Sequence, residues 1–324
     1  MIHLQAKHAG ADISASPFTG TVEAVFANAC AFTLDDGRRL TLLAGTKEQG
    51  MRIIALSRED WCRLHPLLQV GRRIVGDDGV LSGPGFRVGY RSNTTLWHAP
   101  AFPGHVPANG WQPGLVEAKA CLDVAMQELT PEMTRTAAYR RFADLCGKLH
   151  RQEAADREVF RLVGLGTGLT PSGDDLLCGL LGALAAAGDA RFEAVRREVM
   201  QHLDRTTSAS RDYLAQACTP WWTGLLYEFF AAIGGPDGDI AGSFRRLAAR
   251  GHSSGIDQAA GLVAGLALAA GDADFFPPHL GAALPRPLFS RSSHGPARSF
   301  LSEHVSGLGR ADAALGQDRE FAWH

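Results

Sequence analysis

The chain has 324 residues, enough for two domains or one large one. Hydrophobic residues make up 45% and charged residues 20%, and the net charge is −2 with no run of lysine or arginine, which argues against nucleic acid as a partner. The apolar runs are broken by glycine and aspartate and are too short to span a bilayer, and residues 1–18 lack the charged start and apolar stretch of a secretory signal.

Six cysteines lie far apart with no C-x-x-C pair and read as reduced, mostly buried thiols. A soluble cytoplasmic protein is the expectation.

The first part of the chain reads as strands. "GTVEAVFANACAFTL" (20–34) is rich in Val, Phe and Thr, and Asp35-Asp36-Gly37 separates it from "RRLTLLAG", which predicts a hairpin. "GRRIVGDDGVLSGPGFRVGY" repeats that style. Short strands with glycine-rich turns predict a small barrel or curled sheet over 1–100. Residues 101–114, dense in proline and glycine, read as a connection.

From Leu115 the pattern is helical. "LVEAKACLDVAMQEL", "RTAAYRRFADLCGKLH" and "QEAADREVFRLVG" carry apolar residues at three- and four-residue steps. Further helices are predicted at 175–187, 191–204, 209–217, 223–233, 240–250 and 255–269. A helical domain over 115–276 and an extended tail over 277–324 complete the expected α+β organisation. The strand–helix alternation of a doubly wound nucleotide fold is missing. Trp221-Trp222 reads as a core or interface pair.

"GLGTGLTPSGDD" (164–175) is the first stretch that reads as a site. Gly164, Gly166 and Gly168 let a ligand approach the main chain, and Thr170 or Ser172 is a natural N-cap, with Ser172 and Asp175 as a shortened capping box. A helix start after such a loop is an anion site in principle. The frame Gly168 to Gly173 spaces like a P-loop, but Asp174 and Asp175 stand where that loop needs Lys and Ser/Thr. Three uses stay open for the two carboxylates. They can stabilise their own helix start, hold a divalent cation such as Mg²⁺, or accept N–H bonds from an amide or carbamoyl group.

Two further clusters resemble the first. "DRTTSASRDYL" places Thr206, Thr207 and Ser210 where they can cap a helix or donate hydroxyl bonds to a ligand. "RGHSSGIDQAAGLVAGLALAAG" sets His252, Ser253 and Ser254 before a helix with Asp257 one turn in and Gly261 and Gly265 on a small-residue face. Two helix starts of this design could face one ligand. His252 is the candidate acid–base group. There is no G-x-S-x-G elbow for a Ser-His-Asp triad, and His98, His105, His279, His294 and His304 have no zinc-ligand spacing.

Together "LVGLGTGLTPSGDDLLCGLLGAL", "TTSAS..YL..A" and "GHSSGIDQAAGLVAGL" resemble the DUF2877 family, which includes the AllH-type subunit linked to oxamate carbamoyltransferase in allantoin and purine-ring degradation. The family's commoner loop has proline where this chain has Thr167. The resemblance implies conversion of oxalurate and phosphate to oxamate and carbamoyl phosphate, with other subunits as partners; no cofactor is assigned, and Mg²⁺ is the one candidate. On that basis the backbone amides of Gly166, Thr167, Gly168 and Gly173, with Thr170, Ser172, Ser253 and Ser254, bind anionic oxygens. Asp174 or Asp175 then holds the carbamoyl nitrogen or Mg²⁺, and His252 moves a proton. Two other readings are a non-catalytic anion-binding or assembly subunit, and a Mg²⁺-dependent hydrolase or transferase of another small acid or phosphate ester.

Overall fold

A computed structural model of the chain describes residues 1–13, 16–45, 49–98, 111–128, 133–219, 223–235 and 237–272. The tail after 276, Trp221-Trp222, His105, His279, His294, His304 and most of the proline-rich connection lie outside the described residues.

The N-terminal part is one curled sheet of ten strands: β1 (Ile2–Gln5), β2 (His8–Gly10), β3 (Phe18–Val25), β4 (Ala29–Leu34), β5 (Arg39–Ala44), β6 (Ile53–Leu56), β7 (Arg73–Asp77), β8 (Val80–Gly83), β9 (Phe86–Gly89) and β10 (Thr95–Trp97). Their order across the sheet is β1-β9-β8-β7-β3-β4-β5-β6-β2-β10. β1 and β2 are two halves of one bent segment. The first half pairs with β9, Gln5 opposite Gly89, and the second with β6, His8 opposite Ala55, so one segment joins both flanks of the sheet. The predicted D-D-G turns are where expected: Gly37 (φ 85°) links β4 to β5, and Asp78-Gly79 (φ 45° and 73°) links β7 to β8.

Strand periodicity decides the two faces. Cys30, Phe32 and Leu34 of β4 and Leu40 and Leu42 of β5 fill the interior, with Trp61, Ile74, Leu81, Phe86 and Val88. Arg39, Thr41 and Leu43, alternating with them on β5, point to the other side, as do Ala29 and Ala31 of β4.

Two expectations are corrected here. The run 20–34 is two strands, not one, because the chain turns at Phe26–Asn28, closed by Phe26 N–H donating to Ala29 O at 2.8 Å. The first hundred residues also contain a helix, α1 (Arg58–Leu64). Ser57 caps it, accepting from Asp60 N–H at 3.1 Å and donating to the Asp60 carboxylate at 2.9 Å.

Nine helices follow among the described residues: α2 (Gln112–Glu128), α3 (Met133–His150), α4 (Asp156–Leu162), α5 (Ser172–Ala186), α6 (Arg191–Gln201), α7 (Ser208–Ala217), α8 (Gly224–Gly234), α9 (Ile240–Ala248) and α10 (Ser254–Ala269). α5 and α10 are buried almost end to end and form the centre of the helical core. Leu176, Leu177, Leu180, Leu181 and Leu184 are fully buried, each worth about 1.5–3 kcal/mol of transfer free energy.

α5 and α10 run parallel in tight contact. A Cβ at Gly179 would lie 2.1 Å from Gln258 O, and one at Gly261 would lie 2.1 Å from Leu176 O. The glycines visible in the sequence thus let two backbones touch. Because the helices are parallel, their N-termini emerge side by side, toward the sheet.

The sheet and the helices meet through polar contacts. Arg39 donates to Ser208 Oγ at 3.2 Å, Arg52 pairs with Asp212 at 3.0 Å, and Gly224 N–H donates to Gln49 O at 3.0 Å.

Candidate functional site

The glycine loop folds back over the start of α5. Gly166, at φ 139°, passes so close that a Cβ there would lie 2.5 Å from Ser172 N. Gly173 N–H donates to Leu165 O at 2.8 Å. Ser172 and Gly173 are buried, and the residue at the N-cap is Pro171, which offers no side-chain bond. Thr170 and Ser172 therefore do not cap α5, because Pro171 fixes an extended turn between Thr170 and the helix. The loop's own backbone covers the helix start, so the open cradle of N–H groups anticipated there is filled by the chain. Thr167 and Gly168 are exposed at the loop tip.

Asp174 is fully buried and is a tie point for three segments. One oxygen accepts from Gly164 N–H at 2.7 Å; the other accepts from Ser210 Oγ at 2.6 Å and from Thr206 Oγ1. Burial raises its pKa and these three bonds lower it, leaving it above the usual carboxylate value. Thr207 caps α7 by accepting from Ser210 N–H at 3.1 Å, and its hydroxyl donates to Leu169 O. The expected capping role of the threonine cluster is realised by Thr207, while the hydroxyls of Thr206 and Ser210 are held by Asp174.

Asp175 faces α10. It accepts from Gln258 Nε2 at 2.8 Å, and burial, with the charge of Asp257 beside it, pushes its pKa up to about 8. Asp257 is also fully buried and accepts from Tyr139 OH at 2.7 Å. Gln258 accepts in turn from Arg250 at 2.9 Å. A polar chain thus runs from the buried carboxyls to Arg250, whose guanidinium also lies 4.7 Å from the Tyr213 ring centre.

The two helix starts meet where Thr170 Oγ1 and Ser254 Oγ lie 2.6 Å apart. These two hydroxyls, alone among the candidate residues, line a cleft of about 770 Å³ between the sheet and the helices. Ser253 is the half-buried N-cap of α10, without a side-chain cap bond, and His252 is exposed beside Gly251, which does line the cleft.

The cleft is strongly cationic. Among the described residues Lys7, Arg39, Arg52, Arg58, Arg246 and Arg250 line it, against one acid, Asp212. Arg39 is buried and pairs with Glu23 at 3.2 Å. Burial opposes charge on Glu23, yet the hydroxyls of Ser208 and Thr33 and the charge of Arg39 hold its carboxyl below the usual range. Arg52 bridges Asp12 at 3.2 Å and Asp212 at 3.0 Å. Burial leaves the Asp212 carboxyl above its ordinary value despite Arg52, Gln216 and Arg39. Such a concentration of positive charge in a partly desolvated cleft attracts small anions.

None of these six cations was singled out by the sequence, since they are scattered from position 7 to position 250 and share no motif. Arg39 carried a signal: it shares a strand face with Thr41 and Leu43, and an arginine starting such a face needs an anionic partner.

The aspartates do not fit a divalent cation. Both Asp174 oxygens are occupied by donors of the chain, and one oxygen of buried Asp175 is taken by Gln258 Nε2. Among the described residues no group of three or more His, Cys, Asp and Glu is placed to hold a metal ion. The cysteines are free thiols, all buried except Cys62. No helix among the described residues is long and apolar enough to cross a membrane.

Comparison with curated proteins and with solved structures gives no match. Residues 162–266, which carry both glycine-bearing loops, the threonine cluster and most of α10, match the AllH family, described as oxamate carbamoyltransferase subunit AllH, and this is the family that the loops resemble.

Proposed function

We propose that the chain is a subunit of a carbamoyl-transfer enzyme that converts oxalurate and phosphate to oxamate and carbamoyl phosphate, working with other subunits in the cytoplasm. The observation that carries this reading is the cationic cleft at the meeting point of the two family loops. Both substrates are anions, and Arg39, Arg250 and the Thr170–Ser254 hydroxyl pair offer the donors they need.

In the reaction a phosphate oxygen attacks the ureido carbon. The bond from that carbon to the nitrogen retained by oxamate breaks, and the nitrogen takes up the proton that phosphate loses. Asp212, the acid of the cleft, is the group placed to pass that proton, because its raised pKa suits a carboxyl that must hold a proton for part of the cycle. Asp174 and Asp175 act as positioning residues: the first ties the glycine loop to α7, and the second holds Gln258 and through it Arg250. No step is routed through Mg²⁺.

The test is carbamoyl phosphate formation from oxalurate and phosphate by the full chain, alone and with candidate partner subunits. Turnover that requires this chain and is lost in Asp212→Asn supports the proposal. Anion binding without turnover in any combination would leave a binding subunit, and neither binding nor turnover would sink the reading altogether.

A further inference from the structure

The cleft is larger and longer than one small acid requires. About 770 Å³ falls in the range of sites that enclose drug-sized ligands. Its length can be read along β5. Arg39 stands at one end of that strand and Ala44 at the other, roughly 16 Å apart at the usual strand rise.

Lys7 and Arg58 gather at the Ala44 end. Ala44 is in register with Leu56 at the end of β6, Lys7 N–H donates to Ala55 O at 2.8 Å, and Arg58 follows two residues after Leu56. Neither side chain makes an ion pair among the described residues, unlike Arg39 and Arg52 at the inner end. Between the two ends the sheet presents Ala29 and Ala31 on β4 beside Thr41 and Leu43 on β5. The two alanines leave room above a largely apolar floor.

We propose that the mouth of the cleft is a second anion position, built by Lys7 and Arg58, for a phosphate ester whose flat body lies on the Ala29–Ala31–Leu43 floor. The ligand class is a nucleoside phosphate or an ester of like shape. Two cations without an ion pair among the described residues face its phosphate, and the floor contacts its ring. The inner position, where this chain is read as holding the small acid, stays separate.

Calorimetric titration of the full chain with ADP, pyrophosphate, inorganic phosphate and oxalurate tests this. ADP should bind at least tenfold more tightly than phosphate or pyrophosphate. The double variant Lys7→Met/Arg58→Met should lose at least tenfold in ADP affinity. Ala31→Leu, which raises the floor, should weaken ADP and leave phosphate within twofold. ADP binding no tighter than phosphate, or unchanged in the double variant, overturns the mouth position. Pyrophosphate binding as tightly as ADP overturns the floor contact. Oxalurate is the separate control: if it fails to bind the unaltered chain, the carbamoyl reading falls while the ADP result still decides the mouth position.

Discussion

The hydroxyls of Thr170 and Ser254, 84 positions apart in the chain, lie 2.6 Å from each other at the wall of the cleft. They join the loop before α5 to the start of α10. The bond is a point of coupling between two family motifs, and a double-mutant cycle of Thr170→Val and Ser254→Ala should give an interaction free energy of about 0.5–1.5 kcal/mol in denaturant unfolding. Additive single effects would mean that the hydroxyls act independently.

Gly166 and Gly168 both have positive φ, but only one is hemmed in. A Cβ at Gly166 would strike Ser172 N at 2.5 Å, whereas nothing lies within 4 Å of one at Gly168. Gly168→Ala should therefore cost about 1 kcal/mol, the price of the backbone angle alone. Gly166→Ala should cost about 3 kcal/mol or more, because the loop must lift from the helix start. Equal melting temperatures for the two variants would contradict the close approach.

Asp175 gives a pH signature. Its pKa is raised from 3.8 to about 8, first by burial and then by Asp257, so the folded chain keeps a proton that the unfolded chain releases. The sign follows from linkage: Asp175 costs nothing below its unfolded value and lowers stability progressively as pH rises from about 4 to about 8. Asp175→Asn should flatten that fall. Unfolding midpoints of the two proteins at about pH 5 and about pH 9 check this, and parallel slopes would show that the proton resides elsewhere.

Arg250 should matter more to the ligand than to the fold. It lines the cleft, donates to Gln258 and stacks on Tyr213. Arg250→Met should weaken phosphate and oxalurate binding by about 10–100-fold, the loss of a charge-assisted hydrogen bond. The binding should also weaken with added salt, since part of it is long-range attraction. His252→Ala is the contrasting variant. An exposed imidazole outside the cleft lining should leave anion affinity unchanged, so only a change in turnover would support an acid–base role.

Much of this architecture was legible in the sequence. The D-D-G turns, the switch from period two to period three-to-four, and the glycines of α5 and α10 all follow from local chemistry, and the structure has them. α1 was missed although Ser57 and Asp60 spell its capping box, because seven residues carry little periodicity. At the site, the hydroxyls and acids of the loops were visible as a group, but their division of labour was not. Asp174 looks equally like a ligand and like an anchor until Gly164, Thr206 and Ser210 are seen around it. The cationic wall was invisible for a different reason: Arg39 of the sheet and Arg250 of the helical part line one cleft only when the sheet docks on the helices, and no local pattern records that contact.

The bent segment that carries Lys7 also has a consequence for biosynthesis. It is made before both of its partners, since Gln5 pairs with Gly89 and His8 with Ala55. The sheet therefore cannot close while the ribosome is still producing β8, and the unpaired edge must wait for β9 to emerge. Contacts so distant in the chain slow folding and leave strand edges open to other chains in the interval. The residue proposed to hold the ligand's phosphate lies on the half of that segment that pairs with β6, so the mouth of the cleft can form before β9 emerges and closes the other flank.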